Sequence, residues 1–230
     1  MLQILPITGM GQIRPGDDIG AEMVSNFDFS DGDVAVVTQK IVSKAEGRIL
    51  NVAEDDTDGF GQAVLKESRR ILRRRGDLLI TETNQGIVCA NAGIDRSNNA
   101  SGEITLLPID PDRSARWIRA RIYALTGRTI AVIVSDTFGR TWRNGVTDIA
   151  LGIAGVAGVV NLKGTADANG RVLRATEVCI ADEIAAAADL VKKKATNVPV
   201  AVVRGIDSSW LRESSASAEI VRDPSGDLFR

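Results

Sequence analysis

Along the chain, short apolar runs alternate with segments whose apolar residues recur at helical spacing, and turn residues separate the two. Residues 2–7 are an apolar run that reads as a strand, and GMGQIRPGDD after it reads as a loop entering a helix near Asp17, with Asp17 and Asp18 as cap residues. Asp31 and Gly32 mark a turn before a buried strand over 34–38, and a polar stretch, KIVSKAEGR, follows. Between residues 60 and 75 the apolar positions Val64, Leu65, Ile71 and Leu72 predict an amphipathic helix whose basic end is RRILRRR. Arginines there relieve the helix macrodipole in solvent, or meet phosphate or an acidic partner.

From 77 to 107 the β-like runs LLITET, GIVCAN and ITLLP are separated by NQG and GIDRSNNASG, which predicts antiparallel or mixed pairing with loops between. PDRSARWIRARIYALTG reads as a helix started by Pro111 and Asp112 and stopped by Gly127. TIAVIVSD is β-branched and apolar on both faces, as a central strand should be, and it ends in Asp136. The small-residue run DIALGIAGVAGVV fits helix or strand equally; a turn at GTADANGR, a helix over 181–194 and a strand over 198–203 complete the chain. No repeat or linker interrupts residues 1–230, so the expected fold is one α+β unit with mixed or antiparallel sheets and, at most, a lobe from its middle.

Composition narrows the chemistry. With 44% hydrophobic and 25% charged residues in 230, the chain is of ordinary globular make-up, and no segment has the roughly 18 uncharged apolar residues of a membrane span. A cytoplasmic protein is expected. The formal net charge of -2 excludes an overall positive field for nucleic acid or an anionic bilayer. Cys89 and Cys179 stand apart without C-x-x-C pairing, which suits reduced structural thiols. There are no histidines, so any chemistry runs on carboxylates, hydroxyls, amides, Lys and Arg, a set suited to hard cations and phosphate.

The sharpest local feature is SDTFGRTWRNG, where the buried strand is expected to open into a loop. Asp136 offers a carboxylate to Mg2+ or Mn2+, Thr137 an adjacent oxygen, and Arg140 and Arg143 charge-assisted bonds to phosphate; equally, an Asp at a strand end caps a turn. NAGIDRSN sets Asp95 among Asn91, Ser97 and Asn98, and two carboxylates from separate loops can hold a cation whose shell is completed by phosphate and water. As a lone feature it also reads as an Asx turn. In LPIDPDRSA, Asp112 is placed to cap the next helix, and Lys40, Lys44 and Arg48 lie just past a strand, where a lysine can meet phosphate. Neither the P-loop pattern nor a G-x-G-x-x-G in strand-to-helix context occurs.

Taken in order, RPGDD, VVTQKIVSKAEGR, NAGIDRSN, LLPIDPDRSA, SDTFGRTWRNG, ADEIAAAADLV and PVAVVRG resemble the coenzyme F-420-0:L-glutamate ligase (gamma-glutamyl ligase) family, over nearly the whole chain. The resemblance implies GTP-dependent addition of L-glutamate to F-420-0, with further γ-linked glutamates as an extension. It also implies an uncommon α+β fold in an intertwined homodimer, with Mn2+ or Mg2+ and often K+ at the nucleotide. Carried over by motif, Asp95, Asp136 and Thr137 correspond to metal-binding residues. Nucleotide contacts fall on Met10, Gly11, Gln12, Ile13, Lys44 and Asn98, and on position 39, where Gln39 beside Lys40 replaces an expected small hydroxyl residue. A free-standing ligase, or the ligase domain of a longer two-domain form, is expected; a ligase for another amino acid or acid and a non-catalytic nucleotide-binding subunit are the alternatives.

Overall fold

The computed structural model describes residues 1–53, 55–96, 102–193 and 197–228. Asn98 and Ser97 lie outside the described residues. In chain order the elements are β1 (Gln3–Ile7), α1 (Ile19–Asn26), β2 (Val34–Thr38), α2 (Gln39–Ala45), β3 (Ile49–Asn51), α3 (Thr57–Glu67), β4 (Ser68–Arg75), β5 (Leu78–Thr83) and β6 (Val88–Ala90). They continue with β7 (Glu103–Thr105), α4 (Pro111–Thr126), β8 (Ala131–Arg140), β9 (Arg143–Ala154), β10 (Val160–Asn161), β11 (Glu177–Val178), α5 (Ile180–Lys192) and β12 (Val200–Arg204). The mixed α+β architecture is the one expected.

The main sheet has the order β1-β12-β2-β8-β9, in which β2 and β8 pair in parallel and the other neighbours are antiparallel. Its central strands are apolar on both faces because both are covered. Ala35, Val37, Val132 and Val134 pack toward α1, α2 and α4 with Met23, Ile41, Ile118 and Ile122. Val34, Val36, Ala131 and Ile133 pack toward α5 with Ile180, Ala181, Ile184 and Ala188. Burying about a dozen Val and Ile side chains at roughly 1.5–3 kcal/mol each makes this two-faced core the dominant stabilising feature.

Residues 49–107 form the lobe expected from the middle of the chain: the β3/β7 pair, α3, and a second sheet ordered β4-β5-β6. Ile104 and Leu106 hold it with Phe60, and Cys89 and Leu107 dock it onto Phe138 and Leu151 of the β8–β9 arm.

Four local expectations are corrected. The helix expected over 60–75 stops at Glu67, and SRRILRRR is β4, pairing antiparallel with β5; long-range pairing overrides the helix propensity of Arg and Leu. KIVSKAEGR is not merely polar: it supplies α2, which buries Ile41, Val42 and Ser43. Asp110, not Asp112, caps α4 by accepting from the Arg113 amide, with Pro111 at the first helical position. Asp112 instead accepts from the amides of Ile153 and Ser217, tying β9 to the C-terminal segment. Finally, β8 does not end at Asp136: it runs to Arg140 and returns as β9.

Candidate active site

The parallel pair sets the geometry. Thr38 is the last residue of β2 and pairs with Ser135 of β8. Beyond that point β2 becomes α2, while β8 continues with only β9 beside it, so Asp136 is the first side chain past the end of the parallel pair. The carboxyl ends of parallel strands are where polar side chains converge over a rigid base. A β-bulge between Val134 and Ser135 sits at the same place, a device that re-aims side chains.

α2 carries Lys40 and Lys44 one turn apart, hence on one face. Lys40 Nζ lies 2.8 Å from Asp95 Oδ2, joining α2 to the lobe. Asp95 is held by a backbone bridge in which it and Thr105 exchange hydrogen bonds of 3.0 and 2.8 Å. Burial first, and then the neighbouring Lys40 charge, lowers the Lys44 pKa; Glu103 and Asp95 pull the other way. Asp136 faces the lobe. Cys89 of β6 is pushed up to about 12, chiefly by burial and then by the Asp136 charge, so its thiol is inert. Lys40, Lys44, Asp95 and Asp136 are thus carried on the helix, the lobe and the strand that meet where the parallel pair ends.

Consecutive strand residues point to opposite faces. Thr137 therefore turns away from Asp136, to the side of α5, where its hydroxyl donates to Asp148 Oδ1 at 2.6 Å. Asp148 Oδ2 accepts from Ser135 Oγ at 2.9 Å and from Lys192 Nζ at 2.7 Å, and Lys192 also donates to Ser135 Oγ at 2.7 Å. Burial alone would raise the Asp148 pKa, but the Lys192 charge and the hydrogen bonds from Lys192, Thr137 and Ser135 hold it below the usual carboxylate value. Sequence reading missed this network: Asp148 merely heads the apolar run DIALGIAGVAGVV, and Lys192 is the first of three consecutive lysines at the end of a helix, which reads as a solvated basic end.

The loop of Met10, Gly11, Gln12 and Ile13 is drawn to α2. Met10 and Ala45 both pack against the core that buries Ile13, and the Gly16 amide donates to Ala45 O at 2.8 Å. Gly11, Gln12 and Ile13 line a cavity of ≈ 340 Å3 together with Asp17, Asp18 and Glu22. Gln39, also expected at the nucleotide, is fully buried; its Oε1 accepts from Ser43, and its Nε2 has no hydrogen-bond partner among the described residues. Arg140 and Arg143 pair across the end of the β8–β9 hairpin, about 13 Å along the strand from Asp136. They are exposed, and Arg140 donates to Asn144 O at 2.7 Å.

Among the described residues no group of three or more carboxylates or thiols converges as a ready-made metal cluster, and no helix is long and apolar enough to cross a membrane. Fold and site together define an α+β protein whose polar centre, at the end of a parallel strand pair, is built from carboxylates, hydroxyls and ammonium groups without imidazole. The family model described as F420-0:Gamma-glutamyl ligase matches residues 9–205, and the chain belongs to that family. It is 39% identical to the Coenzyme F420:L-glutamate ligase of Methanothermobacter thermautotrophicus, over 100% of this chain and 99% of that one. The protein of the same name from Methanopyrus kandleri is 37% identical over 100% and 98%, and that from Archaeoglobus fulgidus 39% identical over 100% and 96%.

Proposed function

We propose that this chain is a GTP- and divalent-metal-dependent ligase that joins L-glutamate to the lactyl carboxylate of coenzyme F420-0, releasing GDP and phosphate. What carries the reading is the cluster of Lys40, Lys44 and Asp95 where α2 meets the lobe, with Asp136 at the end of the parallel pair beside Cys89 of the same lobe, in a chain similar over its full length to proteins named Coenzyme F420:L-glutamate ligase.

A carboxylate is a poor electrophile. In the proposed sequence a carboxylate oxygen of F420-0 forms a bond to the γ-phosphorus of GTP as the bond to the β–γ bridging oxygen breaks, giving an acyl phosphate and GDP. The amine of glutamate then attacks the acyl carbon, loses a proton, and expels inorganic phosphate to leave an amide; repetition adds further γ-linked glutamates. Such transfers depend on positioning and charge neutralisation, which need no histidine. The loop of Met10–Ile13 and its cavity offer acceptors to the N–H and O–H groups of a nucleoside, whereas a phosphate there would face Asp17, Asp18 and Glu22. The phosphates therefore belong toward Lys44 and Lys40.

The donor chemistry of Asp95 and Asp136 fits a hard cation, Mn2+ or Mg2+, with K+ as an accompanying monovalent ion: both offer only oxygen, and Asp95 already holds an ammonium, whereas Thr137, on the opposite face of β8, does not join them. When bound, such a cation supplies charge neutralisation at the β and γ phosphates. With only these donors, phosphate and water complete its shell. We further propose that the protein works in the cytoplasm as a homodimer.

The test is mass spectrometry of purified protein incubated with F420-0, L-glutamate, GTP and Mn2+, with parallel reactions lacking GTP or metal. A glutamyl mass increment requiring both supports the ligase and counts the residues added. A folded protein that binds GTP and gives no increment would point to another acceptor or to a binding role.

A further inference from the structure

We infer that Arg48 is a positioning residue that fixes Asp95 of the lobe against Lys40 of α2. Its bearing on turnover rests on the proposed roles of Asp95 and Lys40 in the ligase.

Arg48 stands at the neck, immediately before the chain enters the lobe at Ile49 and opposite the point where it leaves at Leu107. Its backbone amide donates to Ser43 O of α2 at 2.8 Å, and its carbonyl accepts from the Leu106 amide at 2.9 Å. The guanidinium spans the same neck: Nε donates to Leu107 O at 3.0 Å, and a terminal nitrogen donates to Glu67 Oε2 at 2.6 Å. Glu67 is the last residue of α3, where a carboxylate opposes the helix macrodipole, so the helix itself gives no reason for a charge there and the arginine does. The Arg48 and Glu67 side chains are 20% and 13% exposed, so salt screens their pairing less than it would at the surface.

These bonds close a ring. From Arg48 it runs through Leu107 and Leu106 to Thr105, which exchanges backbone hydrogen bonds of 3.0 and 2.8 Å with Asp95. Asp95 Oδ2 meets Lys40 Nζ at 2.8 Å, and α2 leads from Lys40 back toward Arg48. The separation of Asp95 from Lys40 is therefore set at the neck, by the side chain that bridges it. A guanidinium holds its donors in one plane at fixed spacing and serves Leu107 and Glu67 together, whereas a lysine ammonium is a point charge on a flexible stem.

The test reads Lys40 directly. Acetic anhydride acylates accessible amines, and peptide mass spectrometry gives the rate at Lys40, 14% exposed and held by Asp95, against Lys163, 44% exposed, as internal reference. In Arg48→Lys the ammonium keeps Glu67 and releases Leu107, so Lys40 should react about tenfold faster while the thermal midpoint stays within a few degrees of the parent. Asp95→Ala should speed Lys40 as much, and R48K should add nothing in the D95A background. Glu67→Gln leaves Arg48 on Leu107 O, so it should lower the thermal midpoint and keep the Lys40 rate within about twofold of the parent. Should R48K not fold, R48M/E67L, which leaves no buried charge unpaired, carries the same expectation for Lys40. An unchanged Lys40 rate in the folded variant, or E67Q matching R48K, overturns the positioning role and leaves Arg48 a stabilising contact. Calorimetric binding of GDP with Mn2+ separates this inference from the reading beneath it, and R48K is expected to weaken it about 3- to 30-fold. Faster Lys40 acylation with GDP binding unaltered, or with no GDP binding in the parent, upholds the positioning of Asp95 and removes the Lys40–Asp95 pair from the nucleotide site.

Discussion

Asp136 owes its position to a difference in strand length. β2 stops pairing at Thr38 while β8 goes on, so a carboxylate that would otherwise lie against a neighbouring strand stands at the end of the parallel pair, near Cys89. Asp136→Asn keeps size and shape, so it should fold with a thermal midpoint within a few degrees of the parent. It should lose metal-dependent glutamyl addition by about 100-fold or more, read by mass spectrometry. Near-parental turnover would remove Asp136 from the mechanism. Asp148 supports a second prediction at this scale, through pH. Its folded pKa lies below the ordinary carboxylate value because Lys192, Thr137 and Ser135 overcome the burial penalty. A depressed carboxyl contributes stability that is complete above the unfolded pKa and is lost as pH falls through the folded one. Urea midpoints measured downward from pH 5 should therefore fall more steeply for the parent than for D148N, whose amide does not titrate; parallel slopes would show that Asp148 gains nothing from its partners.

At the scale of elements, legibility followed how local the cause was. β2, β5, α1 with its Asp18 cap and α4 with its Pro111 start and Gly127 stop were readable because cap, turn and apolar period agree within one segment. The corrections share the opposite character. SRRILRRR is a strand only because β5 pairs with it, and five arginines on an edge strand deter further pairing. The β8–β9 arm looked like a loop because Gly139, Arg140 and Asn144 are poor strand formers; cross-strand register holds it, with Gly145 at φ 82 absorbing the bulge just after the turn. Asp95 and Asp136 were candidates from the sequence, but the tie of Asp95 to α2 through Lys40, the place of Asp136 beside Cys89 of the lobe, and the separation of Asp136 from Thr137 across the strand needed the tertiary fold. Gly152 illustrates packing that no period reveals: a Cβ there would stand 2.2 Å from the Pro111 carbonyl carbon and 2.6 Å from the Asp112 amide, both backbone atoms. β9 lies against the start of α4 with no room between. Gly152→Ala should cost on the order of 1–3 kcal/mol by overpacking, seen as a lower urea midpoint at unchanged slope.

At the scale of the whole molecule, the sheet closes a core with the helices on each of its faces, the lobe is docked through Cys89, Leu107, Phe138 and Leu151, and the β8–β9 arm extends past the lobe. That arm ends in apolar surface: Trp142 is 80% and Val146 59% exposed. A net charge of -2 gives little repulsion between copies, and an exposed tryptophan on a protruding hairpin is the kind of anchor that dominates protein interfaces. The proposed homodimer therefore predicts a solution mass near twice 24.5 kDa by light scattering. Trp142→Ala, at an exposed position outside both cores, should leave the fold and its thermal unfolding cooperative while shifting the mass toward 24.5 kDa at low micromolar concentration. Losing an anchor worth about 2 kcal/mol or more corresponds to a dimer dissociation constant raised roughly thirty-fold. A parent protein that stays at the monomer mass up to high concentration would reject the dimer. A dimer whose constant ignores W142A would move its interface off the arm, to the open edge strands β4 or β1, where substitutions along each edge would locate it.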